Sequence, residues 1–257
     1  MTYFCTLASG SSGNCAVFVS GNARILVDAG KNHRYISEKL HRLALSPQTL
    51  THILITHSHG DHVAALPVLL KHTEAQLVCS HETYAAIAPK LPPKQRVLLF
   101  QPGQTLELAG CPVRTFATFH DAEGSCGYVL GVPEHQVAFC TDTGTVTGEM
   151  FESIRGSRAA VLEFNHDPEL LKQGPYPYAL KARILSDQGH LSNRFSAKVA
   201  VRLCQTGTCH VTLAHLSREN NTPELALEAL EQALNQAGLR AETALAPRDG
   251  LGQPVFL

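Results

Sequence analysis

The sequence has 8 cysteines but no CxxC pair, so neither a zinc ribbon nor a paired-thiol redox motif can be read from it. Cys5, Cys15, Cys79, Cys111, Cys126 and Cys140 mostly fall inside apolar, strand-like runs, where a free thiol behaves as a small hydrophobe. The opening Met1-Thr2-Tyr3-Phe4 shows no basic segment followed by an apolar core, so no export signal is read there. No apolar run approaches the length of a membrane span. These absences point to a cytoplasmic protein with reduced thiols and no membrane association. A charge excess is missing too: the net charge is -1 and the pI about 6.9. That balance does not announce a nucleic-acid binder, whose domains are often basic. It does not exclude one, because bound divalent metals would add local positive charge. No repeat or low-complexity linker divides the chain, and no obligate protein partner is evident. With 257 residues and 44% hydrophobic content, the chain suffices for one large domain with a substantial core or for two small ones; with no boundary in view, a single domain over residues 1–257 is the expectation.

What the sequence does have is histidine, 14 residues of it. Thr56-His57-Ser58-His59-Gly60-Asp61-His62 puts four potential metal ligands within six positions. The apolar Ile53-Leu54-Ile55 precedes it, and Val63-Ala64-Ala65-Leu66-Pro67-Val68-Leu69-Leu70 follows as a helix start. A strand-to-helix turn lets such side chains converge on one point, and imidazole with carboxylate suits Zn, Mn or Fe. The plain alternative is a solvated histidine-rich loop.

Around this turn the first half reads as strands: Tyr3–Ala8, Cys15–Val19, Arg24–Val27, Gln76–Cys79, Arg96–Phe100, Gln104–Leu108, Val113–Phe119, Ser125–Val132 and Gln136–Thr141. Ser20-Gly21-Asn22 and Pro133-Glu134-His135 are the hairpin turns. Helices are expected over Tyr35–Leu43, from His62 to about His72, and over His81–Ala88. In the second half Ala159–Phe164 and His210–Leu213 read as strands, and Leu180–Ser186 and Ser192–Leu203 as helices, the latter with Phe195, Val199 and Leu203 on one face. Thr222-Pro223-Glu224 has the cap-then-proline form of a helix start. That helix runs to about Ala237, and Glu242–Ala246 and Pro254–Leu257 close the chain as edge strands. The pattern fits two sheets packed face to face with helices outside.

Three further donors sit where apolar strands stop, the usual place for site residues: His120 after Val113–Phe119, Asp142 after Gln136–Thr141, and His215 after the strand ending at Leu213. With Leu26-Val27-Asp28-Ala29-Gly30, the His57/His59/Asp61/His62 motif and the Thr141-Asp142-Thr143-Gly144 turn, they make the sequence resemble the metallo-β-lactamase-fold hydrolases. The resemblance implies an α+β fold, a four-layer αββα sandwich, with a site for two divalent metal ions (Zn, Mn or Fe) at one edge. Carried over by position, His57, His59 and His120 would hold one ion, Asp61, His62 and His215 the other, and Asp142 would bridge them. Asp28 would orient a histidine ligand from behind; a plain turn former is its alternative.

Aspartate at position 142 fits the phosphodiester- and thioester-cleaving branches, because an oxygen bridge between two metals suits in-line attack on phosphorus. Ser9–Asn14, Glu163-Phe164-Asn165-His166-Asp167, Gly174-Pro175-Tyr176-Pro177, Gly189-His190-Leu191-Ser192-Asn193 and His215-Leu216-Ser217-Arg218-Glu219-Asn220-Asn221 together look like the YycJ-like (WalJ-like) branch. What that implies is a metal-dependent phosphodiesterase acting on DNA, a 5′→3′ exonuclease using a metal-bridging hydroxide oriented by Asp61. His190 would anchor the scissile phosphate or protonate the leaving oxygen, unless it is only a histidine beside a helix cap. His166 would touch substrate or a ligand histidine. Ser11, Ser12 and Asn14 are candidates for cradling a phosphate through the loop backbone, and Arg218 for a phosphate contact. A thioester or small phosphodiester hydrolase of the same fold, and a non-catalytic metal-binding sensor, are the competing readings.

Overall fold

The computed structural model describes all residues from Met1 to Leu257. Its strands, in chain order, are β1 (Thr2–Ala8), β2 (Cys15–Ser20), β3 (Ala23–Val27), β4 (His52–Leu54), β5 (Gln76–Ser80), β6 (Val97–Phe100), β7 (Thr105–Leu108), β8 (Cys111–Ala117), β9 (Cys126–Leu130), β10 (Val137–Cys140), β11 (Ala159–Glu163), β12 (His210–Ala214), β13 (Glu242–Leu245) and β14 (Val255–Phe256). They form two seven-stranded sheets, ordered β14-β1-β2-β3-β4-β5-β6 and β13-β12-β11-β10-β9-β8-β7.

Side-chain alternation along these strands generates the layers. In β2, Ala16 and Phe18 face the other sheet while Cys15 and Val17 face outward under helices. In β11, Ala159 and Val161 face the other sheet while Ala160 and Leu162 pack under the opposite helices. Because both faces of each sheet are covered, these strands read as unbroken apolar runs rather than as alternating ones. Three apolar interfaces separate four layers, and the α+β αββα sandwich is the observed architecture. No helix is long and apolar enough to cross a membrane. All eight cysteines are free, and the six strand-like ones are buried.

The topology decides where chemistry can sit. β3, β4, β5 and β6 run parallel, as do β10, β11, β12 and β13. β8 reaches β10 through two antiparallel pairings and so runs the same way. The carboxyl ends of β3, β4, β8, β10, β11 and β12 therefore meet at one edge, where the two sheets face each other.

Several boundaries differ from the sequence reading. The helix expected from His62 to about His72 is two short helices, Gly60–Val63 and Leu66–Leu69. The Ala65 amide donates to Ala29 O at 2.8 Å instead of continuing the helix, and Pro67 has no amide to give. β8 stops at Ala117, two residues short of the expected Phe119, although Thr118 N still donates to Ser125 O in the register of the hairpin. Phe195 is 39% exposed, unlike the buried Val199 and Leu203. Helices Gly148–Ile154 and Pro168–Gln173 were not expected.

Candidate metal centre

The local backbone at the shared edge is unusual. Asp28, Asp142 and His215 have φ of 61°, 55° and 56°, the left-handed region that Asp, Asn and His tolerate better than other side chains. Each immediately or closely follows a strand, and each left-handed turn swings its side chain off the strand line toward the edge. The His57–His62 turn enters from β4. Its start is clamped from the opposite sheet: the buried Tyr128 hydroxyl donates to Ile55 O at 2.6 Å, and Cys126 N donates to Thr56 O at 3.0 Å. Gly30 lets the Asp61 backbone pass closely, and that carbonyl accepts from Asn14 N at 2.7 Å.

Two groups of donors result. His57 Nε2 and His120 Nε2 lie 3.1 and 3.3 Å from His59 Nδ1. Three nitrogens each 2.0–2.1 Å from a tetrahedral zinc would lie about 3.3–3.4 Å apart, so this spacing suits an ion. The rear nitrogens are occupied. His57 Nδ1 bonds Thr56 Oγ1 at 3.0 Å, and His120 Nδ1 donates to Gly189 O at 3.3 Å. In the second group, His62 Nε2 lies 3.6 Å from Asp61 Oδ2 and 3.5 Å from Asp142 Oδ2, and His215 Nε2 lies 3.4 Å from Asp142 Oδ1. Asp142 also groups with His57 and His62, so it stands between the two sets. Asp142 Oδ2 and His215 Nε2 are buried without a hydrogen-bond partner, as polar atoms reserved for a cation would be. The residues present therefore fit two divalent ions.

Charge supports the same fit. Burial opposes ionisation of Asp61, but the neighbouring His215 and His62 hold its carboxyl at about 2. Asp142 and Glu163 are likewise held below the usual carboxylate range, against their burial, by neighbouring histidines. Burial would lower His62, yet the carboxylates of Asp28, Asp142 and Asp61 lift it to about 9. His57 is pushed well below its ordinary value by burial and by the surrounding imidazoles, so it stays neutral as a metal ligand must. In short, the site gathers buried carboxylates that demand cationic partners.

The second layer of contacts is equally specific. Asp28 Oδ2 accepts from His62 Nδ1 at 2.8 Å, while its Oδ1 accepts from Thr56 N and Thr56 Oγ1. Glu163 was not singled out as a site residue from the sequence. It is fully buried. Its Oε1 accepts from His190 Nδ1 at 2.7 Å and His215 Nδ1 at 3.1 Å, and its Oε2 from the amides of Thr143 and Leu191. The signal for it was there: a lone acid ends the apolar run Ala159-Ala160-Val161-Leu162.

The donors open onto a cavity of about 250 Å³ whose lining includes Ser11, His59, Asp61, His190, His215 and Arg183. Not every expected substrate residue reaches it. Asn14 turns inward, its Nδ2 2.9 Å from His62 Nε2 and 3.3 Å from Asp61 Oδ2. Ser12 lies outside the lining and accepts from Lys31 Nζ. Arg218 is exposed, outside the lining, with Asp249 among its charged neighbours. It follows His215 by three residues, but no regular element carries it back over the edge. His166 is buried beneath the site with neither ring nitrogen hydrogen-bonded. It does not join the cavity or the donor groups. The cation that does line the cavity, Arg183, lies midway between the Gly174–Pro177 and Gly189–Asn193 motifs, in a helix whose sequence does not say which side chain turns to the cavity.

With this geometry in view, comparison with known proteins is informative. Residues 23–215 match the family described as the beta-lactamase superfamily domain. The chain is 34% identical to the exodeoxyribonuclease YycJ of Bacillus anthracis, over 92% of this chain and 90% of that one. It is 35% identical to the exodeoxyribonuclease WalJ of Streptococcus pneumoniae, over 91% and 88%. Among solved structures, the metallo-beta-lactamase fold protein YhfI from Bacillus subtilis shares the fold with a TM-score of 0.76 at 16% identity, covering 99% of this chain and 98% of that one. Zn(2+)-bound PqqB from Methylobacterium extorquens does so with a TM-score of 0.72 at 15% identity, covering 99% and 100%. The chain belongs to the metallo-β-lactamase superfamily of enzymes, in the branch that holds the YycJ and WalJ proteins.

Proposed function

We propose that the protein is a metal-dependent phosphodiesterase that shortens DNA, a 5′→3′ exonuclease working on one domain that spans residues 1–257. The observation that carries this reading is the convergence of seven His and Asp donors with the buried Glu163–His190 pair at the rim of one cavity. The relatives named exodeoxyribonucleases align over nearly the whole chain and support DNA as the substrate class. A reducing compartment agrees with eight free cysteines, six of them buried.

His57, His59 and His120 would hold one divalent ion, Asp61, His62 and His215 the other, with Asp142 between them. When bound, Zn, Mn or Fe ions supply a water activated near neutral pH and neutralise charge on the phosphoryl oxygens. The chain's own groups do the rest. Asp28 and Glu163 fix the tautomers of His62 and His215 so that their Nε2 atoms face the Asp61 and Asp142 carboxylates. Asp61, ionised and half-buried, is placed to orient the attacking oxygen. Burial opposes protonation of His190, but the Glu163 carboxylate overcomes this and raises its pKa. His190 thereby keeps a proton for the leaving oxygen as pH approaches neutrality. Tyr176, Leu180, Ile184 and Leu216 give the cavity an apolar side against which sugar and base can rest.

The test offers the purified protein, with Mn or Zn, 5′-phosphorylated DNA, bis-p-nitrophenyl phosphate and a thioester. Turnover of both phosphodiesters, with loss in His59→Ala, is the expected result. Thioester turnover without phosphodiester turnover refutes the reading, and full activity in His59→Ala refutes the metal mechanism.

A further inference from the structure

We infer that Arg183 is the phosphate-binding cation of the cavity, and that Asp121 is its counter-ion while no nucleic acid is bound. This rests on the phosphodiesterase reading above and names the residue that meets the substrate backbone. Among the cavity-lining residues Arg183 is the single lysine or arginine, whereas Asp61 and Asp142 line the same space. Asp61 and Asp142 make that lining acidic, so a protein cation beside them favours a polyanion that the carboxylates alone would repel. Other cations near the edge are committed elsewhere or lie outside the lining: Lys31 pairs with Asp249 at 2.6 Å, and Arg218 is outside.

Arg183 is built into the site rather than hanging near it. It belongs to the helix Tyr178–Ile184, whose end packs onto the segment carrying His190. His190 N donates to Ile184 O at 3.0 Å. Gly189 makes this approach possible, since a Cβ there would lie 2.2 Å from Ile184 O and 2.3 Å from Arg183 O. The position of Arg183 relative to His190 is thereby fixed by backbone.

Asp121 connects Arg183 to the first donor group. Its Oδ2 pairs with Arg183 Nη2, while its Oδ1 lies 3.3 Å from His120 Nε2 and 3.6 Å from His59 Nε2. The guanidinium is thus one carboxylate away from the point where His57, His59 and His120 converge. The Arg183 and Asp121 side chains are 53% and 30% exposed, and an ion pair so open to water is weak. A phosphate, which takes the guanidinium fork with two parallel hydrogen bonds, outcompetes it. On binding, Arg183 moves from the carboxylate to two phosphodiester oxygens, and Asp121 keeps His59 and His120 as neighbours.

The experiment measures binding of a fluorescein-labelled single strand with phosphorothioate linkages, which slows cleavage, to the protein as isolated, across a salt series. Arg183→Gln is expected to weaken binding about tenfold and to reduce the slope of log K against log salt by about 0.7, one single-strand phosphate contact. Arg183→Lys keeps the slope, since the charge remains, with weaker binding because the fork is lost. Asp121→Asn frees the guanidinium and tightens binding several-fold. A wild-type slope in Arg183→Gln overturns the assignment. So does equal weakening in Arg183→Gln and Asp121→Asn, which would mark the pair as a structural latch. Absence of binding by wild type and variants alike takes down the nucleic-acid reading itself, and this assignment with it.

Discussion

Gly30→Ala tests whether the second donor group depends on a single close approach. A Cβ at Gly30 would sit 1.6 Å from Asp61 O and 2.6 Å from Asn14 N, where real contacts stay above 3.0 Å. The Asp61 carbonyl or the end of β3 must therefore retreat by about 1.4 Å. The same stretch holds the Asn14 N to Asp61 O bond at 2.7 Å and the Ala29 N to His62 O bond at 2.8 Å. Overpacking costs about 1–3 kcal/mol, and each backbone group left unmet adds about 1–3 kcal/mol. With one group left unmet the sum is about 2–6 kcal/mol, a large share of the stability of an ordinary domain. Metal-ligand distances tolerate only about 0.2 Å, so Asp61 and His62 would no longer hold an ion. Elemental analysis should find bound metal falling from two ions per chain to one, and phosphodiester turnover should fall about a hundredfold or more. Gly60→Ala is the control in the same turn, because a Cβ there meets nothing within 4 Å; it should keep metal and activity. Gly30→Ala with wild-type metal content and turnover would refute the reasoning.

Asp28→Asn keeps the acceptor for Thr56 N but turns a donor toward His62 Nδ1; chelator competition should show metal affinity lowered about 10–100-fold, and unchanged affinity would count against the orienting role. Tyr128→Phe leaves Ile55 O without its 2.6 Å partner, so urea unfolding should show a loss of about 1–3 kcal/mol; a loss under about 0.5 kcal/mol would mean the clamp is ornamental. Burial holds His166 at about 4, below its ordinary value, so the unfolded chain takes the proton first. Stability from this residue is complete above about pH 6.5 and is lost as pH falls toward about 4, by about 3 kcal/mol in all. His166→Leu should lack that part of the acid sensitivity in unfolding titrations, and an identical pH dependence in both proteins would exclude it.

The sequence made the fold legible because strands covered on both faces leave dense apolar runs, and because each of His120, Asp142 and His215 follows such a run. It was less clear where a single tertiary bond decides. Ala65 gives its amide to Ala29 and so divides the expected 62–72 helix. The helix at Pro168–Gln173 carries an Asp167 cap followed by proline, the same signature read correctly at Thr222-Pro223, but its six residues hold too short an apolar face to register. Glu163 is legible only as a lone acid at the end of an apolar run, and the sequence does not show that the Asn14 side-chain amide turns inward to Asp61 and His62. Arg183 and Asp121 meet only through the fold, 62 positions apart in sequence.

The seven candidate donors divide between the sheets: His57, His59, Asp61 and His62 follow a strand of one, while His120, Asp142 and His215 follow strands of the other. Neither sheet owns a complete site. Ions held there act as rivets across the seam, so the energy of metal binding is also energy against the sheets parting. The candidate edge is then fastened twice when loaded, by ions and by the Tyr128 and Cys126 bonds to Ile55 O and Thr56 O, and a mutation that loosens the seam far from any donor registers as a change in metal affinity.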